Sequence, residues 1–319
     1  MPLFGKSAKP FIDHARGDAE ARRLWTIATS GSGDWKTIDA AIKATSDPVR
    51  REFLVDAVAS HSRDLRWVDA WIEARPDDEL ARLMWGTCAH SYAFEIRTAA
   101  IPENVSQEQW KGFREWLVHS EEQLRQATTM DPADSAPWVG LLWTAVGLGP
   151  PLREVTSRWE AVSRLNPQSE MGAGAYMTFI SPRWHGSAEL MWDWLHGVLA
   201  TEPDGGARWP LVPNGHFEQW VAESMDKNPH AKRYWEEPEV QREINEAWAR
   251  WTGAPAPRTW FLAPWYWEVF AGAFYLMRDR EKLRKALEKT GPGIQPIPWS
   301  YLGPPVEIYQ TVRESVGLR

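Results

Sequence analysis

Apolar positions recur along this chain at spacings of three and four, segment after segment, and almost never alternate. Asp47-Pro48 places an N-cap before a proline suited to the first helical position. Behind it Val49, Phe53, Leu54, Ala57 and Val58 form one apolar stripe. Asp77 and Asp78 open a second helix, carrying Leu80, Leu83 and Met84 and running on to Tyr92. Ser106 and Gln109 have capping-box spacing, and Trp110, Phe113, Leu117 and Leu124 follow on one side of the helix they begin. Ser135 precedes WVGLLWTAV, which Gly147 or Gly149 can end. No strand–turn–strand signal is present, so the pattern predicts an all-α chain.

The stretch WFLAPWYWEVFAGAFYLM, Trp260 to Met277, holds a single charge, Glu268. Pro264 suits a first helical turn, and a helix from there to Arg278 would be roughly 22 Å long. A bilayer core is about 30 Å thick, so a buried core helix is expected rather than a membrane span, the alternative being a partner-binding or membrane-surface helix. GPGIQPIPWSYLGPP, Gly291 to Pro305, is too rich in Pro and Gly for a helix. It is expected to wrap over the body through Ile294, Ile297, Trp299 and Tyr301, before a short last element from Val306 to Val316.

The joints between helices repeat. MDPADSAPW, LNPQSEMGA and TEPDGGARW each follow an amphipathic helix, with Pro132, Pro167 and Pro203 spaced 35 and 36 residues apart. ARPDDELARLMWG around Pro76 has the same character. A period of this length, with proline between paired helices, resembles the tetratricopeptide repeat (TPR). Taking Pro132 as a closing proline, Trp138 and Leu141 fall on that family's first-helix Trp and Leu positions, and Ala161 near its small second-helix position. Leu142 and Ala145 stand where the family carries a small and an aromatic residue. The resemblance implies a TPR-like superhelix of antiparallel helix pairs, because one pair cannot bury both its apolar faces and stacks on the next. The expected organisation is one helical domain over residues 1–290, with an N-terminal cap to about 64, repeats over about 65–225 and an aromatic cap to 290, then a wrapping tail over 291–319.

A second resemblance rests on P-R-W-H-G-S (Pro182 to Ser187) before one amphipathic helix and H-F-E-Q-W (His216 to Trp220) opening another. These steps resemble an uncharacterised bacterial family of TPR-like helical proteins over roughly residues 60–280. That family has no assigned chemistry, so the resemblance implies a fold and no catalytic role.

Composition narrows the function classes. The chain has 319 residues and 22 tryptophans, each bringing a large apolar area and an N–H that needs a partner. A net charge of −7 and no long Lys/Arg run argue against nucleic-acid binding; a local basic patch around Arg22, Arg23, Arg50 and Arg51 is the one alternative. A single cysteine, Cys88, excludes disulfides and multi-cysteine zinc sites within the chain and is expected to be a buried small residue. MPLFGKSAKPFIDH lacks an apolar h-region, and a cytoplasmic location is the expectation.

The candidate chemistry centres on SPRWHGSAELMWDWL, Ser181 to Leu195. Ser187 is an expected N-cap, with Gly186 freeing the turn before it and Glu189 in the first turn. Leu190, Met191, Trp194, Leu195, Val198 and Leu199 make an apolar face that assigns Trp194 to the core. Asp193 and His196 lie away from it, and Trp192 flanks it. Trp184 and His185 occupy the turn and are expected either to plug a helix joint or to line a pocket. Pro213-Asn214-Gly215 is expected to form a turn that puts His216 and Glu218 at the next helix start, where His185, Asp193, His216 and Glu218 would converge. Two histidines with carboxylates can bind a divalent metal, but no HExxH, His-x-His or facial-triad spacing occurs, so neither metal nor cofactor is expected.

Other motifs carry less. Gly5-Lys6-Ser7 lacks the upstream glycine and strand of a P-loop, and GSGDW and GAGAY lack GxGxxG spacing. Glu121-Glu122 and Glu236-Glu237 are expected on solvated faces. The leading expectation is a non-enzymatic scaffold that binds a protein or peptide on a concave, Trp-rich surface. Arg183, Trp184, His185, Trp192, Asp193, His216, Glu218 and Trp220 are its candidate contact residues. The alternative is a small-molecule- or metal-dependent enzyme with a pocket around His185 and His216. A homo-oligomer using the aromatic C-terminal region is the third.

Overall fold

A computed structural model describes residues 9–98, 102–256 and 259–318; the Gly5-Lys6-Ser7 step lies outside them. Packing divides the chain into two units, Asp18–Ile180 and Ser181–Arg319, the latter completed by the N-terminal residues up to Gly17. The division falls inside the stretch that the proline spacing assigns to repeats.

The Asp18–Ile180 unit consists of α1 (Ala19–Thr29), α2 (Trp35–Lys43), α3 (Pro48–Ala59), α4 (Arg66–Ala74), α5 (Glu79–Arg97), α6 (Gln107–Met130), α7 (Ala136–Leu148), α8 (Leu152–Leu165) and α9 (Glu170–Ile180). Their ends sit where short polar side chains meet orphan N–H groups. Asp47 accepts from Val49 N with Pro48 in the first turn, Asp78 accepts from Leu80 N, and Ser106 and Gln109 complete a reciprocal capping box. Gly149 ends α7 in the left-handed conformation. Pro76, Pro132 and Pro167 lie between helices, as their spacing predicts.

Helix α3 is the hub of this unit. It touches α1, α2, α5, α7 and α9, and buries Val49, Phe53, Leu54, Val55, Ala57 and Val58. Glu52 is buried among them. It accepts from Ser135 Oγ at 2.6 Å and Asn166 Nδ2 at 2.8 Å on one oxygen, and from Ser169 Oγ at 2.6 Å on the other. One carboxylate thereby ties α3 to the lead-ins of α7 and α9. Leu124 of α6 occupies space that two glycines leave open: a Cβ on Gly86 of α5 would stand 2.6 Å from Leu124 Cγ, and one on Gly140 of α7 would stand 2.8 Å from Leu124 Cδ2.

Three expectations change here. Glu121 does not lie on a solvated face; it turns to Arg158, which is 2% exposed and reaches Glu121 at 2.8 Å and Glu154 at 2.6 Å. A buried guanidinium draws carboxylates inward. Trp110, expected on the buried stripe of α6, is among the exposed large side chains, under the Arg97 guanidinium at 5.2 Å. Half of the basic patch is engaged internally: Arg50 pairs with Asp18 and Glu20, and Arg51 with Glu79 and Asp134.

The Ser181–Arg319 unit contains β1 (Phe11–Ile12), α10 (Ala188–Leu199), α11 (Leu211–Met225), α12 (Pro238–Thr252), α13 (Ala263–Leu276), α14 (Arg280–Leu287), β2 (Gly293–Ile294) and α15 (Pro305–Ser315). Helix α11 touches α10, α12 and α13. Pro203 lies between α10 and α11. The strands form one short parallel pair that no alternation announced, Phe11 opposite Gly293 and Ile12 opposite Ile294. The apolar stretch after Trp260 becomes α13, its core face Tyr266, Val269, Phe270, Ala273 and Phe274. Among the described residues no helix is long and apolar enough to cross a membrane. The single charge of α13, Glu268, is 1% exposed and anchors the tail, accepting from Trp299 Nε1 at 2.7 Å and from the Gln295 backbone N–H at 3.1 Å.

The Leu124 nest yields a test. Gly86→Ala should lower unfolding free energy by about 1–3 kcal/mol through overpacking. Gly174→Ala, in α9 with open space at its Cα, should instead raise it by about 0.5–1 kcal/mol. Urea unfolding curves of both variants check the contrast.

Candidate functional site

Ser181 closes a tight turn by accepting from the Trp184 and Gly186 backbone N–H groups at 3.1 and 3.2 Å, and Ser187 then caps α10 by accepting from Leu190 N. This turn aims Arg183 at Glu218 of α11. Arg183 Nε donates to Glu218 Oε2 at 2.7 Å and Nη2 to Oε1 at 2.9 Å, a two-pronged pair. Ser181 Oγ donates to Oε2 at 3.2 Å, and the Tyr301 hydroxyl to Oε1 at 3.1 Å. The Arg183 guanidinium also lies 5.2 Å from the Tyr301 ring and 5.7 Å from the Trp184 ring. Four donated hydrogen bonds therefore meet one carboxylate that is 2% exposed.

The neighbouring histidine is equally engaged. Helix α11 begins at Leu211, so Pro213-Asn214-Gly215 forms its first turn rather than a turn before it. Proline is tolerated there because the first N–H groups of a helix have no internal acceptor. His216 consequently sits in the second turn and faces inward. Its Nδ1 is 2.9 Å from the Tyr234 hydroxyl, its Nε2 3.2 Å from Glu243 Oε2, and its ring 4.6 Å from Trp192. Burial lowers the His216 pKa, against a smaller upward pull from Glu243. Trp192 Nε1 donates to Gln219 Oε1 at 2.8 Å, and Trp220 Nε1 to the Ala231 carbonyl at 3.1 Å.

The four residues expected to converge thus divide. Glu218 belongs to the Arg183 knot and His216 to the Tyr234–Glu243 relay, whereas His185 and Asp193 are exposed. Among the described residues no group of three or more His, Cys, Asp or Glu side chains is placed to hold a metal ion. Trp194 is not core: α10 fully buries only Met191 and Leu195, and Trp194 is half-buried with Trp184 and Trp192. The apolar stripe of α10 is broader than the surface α11 offers it. Trp184, Trp192 and Trp194 stay half-buried and His185, Asp193 and His196 are exposed, with Trp192 and Trp194 projecting from different sides of α10.

The Asp18–Ile180 unit holds polar groups that no motif flagged. Burial raises the Glu52 carboxyl to about 7, opposed by its Ser135, Ser169 and Asn166 donors. Cys88 is buried, as expected, and burial pushes its thiol up to about 12, which makes it a poor nucleophile. His90, two residues on, is 7% exposed, and burial drives its imidazole down to about 4. The only sequence trace of these groups was polar residues at inward positions of otherwise apolar stripes.

The fold and these sites define an all-α chain in which Glu52, His216 and Glu218 are bound up in helix joints. No protein-family model matches the chain, and no curated protein matches it significantly.

Two measurements test the joints. Arg183→Met should cost about 3–5 kcal/mol by stranding the buried Glu218 charge, and Arg183→Met with Glu218→Gln should cost less than the two single changes together. A double-mutant cycle from denaturant midpoints reads the difference. Glu52 gives a pH signature. Its folded pKa, about 7, lies above the unfolded value, so the native state keeps a proton the unfolded chain has lost. The contribution of Glu52 is fully present below the unfolded pKa and disappears as pH rises through about 7. Glu52→Gln should therefore flatten that part of the stability–pH curve between pH values of about 4.5 and 7, measured against wild type by thermal melts.

Proposed function

We propose that this protein is a non-enzymatic cytoplasmic scaffold of TPR-like helix pairs that holds a protein or peptide segment. The observation that carries the proposal is the division of labour around α10. The ionisable groups that suggested chemistry, His216 and Glu218, are consumed by internal partners, while Trp184, Trp192 and Trp194 stay partly accessible next to exposed His185, Asp193 and His196. Half-exposed tryptophans bring large contact area at little entropic cost, and the polar neighbours supply orientation, which is the composition of a binding hot spot. A net charge of −7 supports a partner of protein rather than nucleic-acid character.

The test is affinity capture from the native host with immobilised protein. Wild type should retain a defined protein, and Trp184→Ala with Trp194→Ala should lose it by tenfold or more, about 1.4 kcal/mol at least, with an unchanged circular-dichroism spectrum. Equal retention by both proteins, or none by wild type, overturns the proposal.

A further inference from the structure

Helix α10 packs closely on α11 and fully buries only Met191 and Leu195. Two parallel rows run along the rest of its surface. At i, i+4, i+8 spacing, Leu190, Trp194 and Val198 form an apolar ridge, and all three are half-buried. One residue before each, Glu189, Asp193 and Gly197 form a second row alongside, and all three are exposed. A Cβ on Gly197 would meet nothing within 4 Å, so among the described residues no neighbour covers that end of the rows.

The acidic row lacks counter-charges. Neither Glu189 nor Asp193 meets a hydrogen-bond donor or a cation among the described residues. Like charges at i, i+4 repel across one helical turn. The helix dipole offsets this for Glu189 in the first turn but not for Asp193, one turn further on. The chain offers no remedy close in sequence. No Lys or Arg occurs between Arg183 and Arg208, and those two are held by Glu218 and Glu202. A cation from outside removes the repulsion.

An apolar ridge at four-residue spacing fits the groove between the ridges of another helix. Carboxylates alongside it select the charge of that helix, and the missing side chain at Gly197 lets its backbone approach closely. The same carboxylates disfavour a phosphate backbone and an anionic membrane surface. We propose that this side of α10 docks a basic amphipathic helix of a partner protein. Its apolar residues lie over Leu190, Trp194 and Val198, and its Lys or Arg side chains reach Glu189 and Asp193. This assignment gives the chemistry of the partner and rests on the reading of the protein as a scaffold.

The probe is a fluorescein-labelled helical peptide of about four turns, with leucines along one side and lysines beside them. One counterpart carries glutamates for the lysines, and another carries serines for the leucines. Fluorescence anisotropy with the intact chain should show saturable binding of the lysine–leucine peptide and binding at least about tenfold weaker for both counterparts. Glu189→Lys with Asp193→Lys should reverse the order of the lysine and glutamate peptides, with an unchanged circular-dichroism spectrum, because both positions are exposed. Trp194→Ala should weaken the lysine–leucine peptide about tenfold. No binding of that peptide to wild type at up to about 1 mM, or equal binding of the lysine and glutamate peptides, overturns the proposal. So does undiminished binding by the Glu189→Lys, Asp193→Lys variant, which would put the peptide elsewhere on an acidic protein. Affinity capture with the same variant separates the proposal from the reading beneath it. A protein lost by Trp184→Ala with Trp194→Ala but kept by Glu189→Lys with Asp193→Lys leaves the scaffold standing and overturns the basic partner.

Discussion

A carboxylate removed from water must be met by donors, or its burial costs several kcal/mol. This chain buries such groups at its helix joints, and each gathers segments that are distant in sequence. Glu52 gathers Ser135, Asn166 and Ser169, and so connects α3 with the lead-ins of α7 and α9. Glu218 gathers Ser181, Arg183 and Tyr301. Glu268 gathers Gln295 and Trp299, and burial lifts its carboxyl to about 8. Hydrophobic contact is tolerant of small shifts, whereas a buried oxygen accepts donors only within narrow distances and angles. These acids therefore set the register in which the apolar faces pack.

The tryptophans act on the same principle from the donor side. Their rings fill the gaps between helices, and their N–H groups reach the carbonyls of connecting segments. Trp25 donates to Ser60, Trp209 to Pro203, Trp220 to Ala231, Trp260 to Gly205 and Trp265 to Ile297, all at 2.7–3.1 Å. A connection held by a buried ring and a hydrogen bond has less freedom than one held by backbone alone. The high tryptophan content is thus an architectural device at these connections, while other rings stay partly accessible along the chain, among them Trp110 of α6 and the three around α10.

Burial also sorts the reactive groups. The Cys88 thiol is pushed far from the thiolate state, and the His216 imidazole is shared between a tyrosine and a glutamate. A general acid or base must touch solvent or substrate, and a thiol must ionise to act as a nucleophile. His90 differs because it lines a cleft and its Nδ1 has no hydrogen-bond partner among the described residues.

Helix identity and many helix ends were legible in the sequence, because an N-cap is satisfied within one turn of the residue that makes it. Asp47, Asp78, Ser106 and Ser187 cap the helix starts that their spacing predicts, Ser135 precedes α7 with its hydroxyl turned to Glu52 instead, and Pro76, Pro132, Pro167 and Pro203 lie between helices. The first turn of α11 departs from expectation for a related reason: Pro213 signals a break only where its missing N–H is needed, and at a helix start it is not. Periodicity names the apolar stripe of α10 but not its width of contact, so it assigns Trp194 to the core although no neighbour covers that ring fully. The partners of the buried acids were out of reach altogether. Tyr301 meets Glu218 across 83 residues, and Ser169 meets Glu52 across 117. Local chemistry is written in short spacings, so the chain alone determined its helices and caps. Which buried charge meets which donor is settled only when distant segments are packed together, so the tertiary structure decided the joints, the cleft and the surface left exposed.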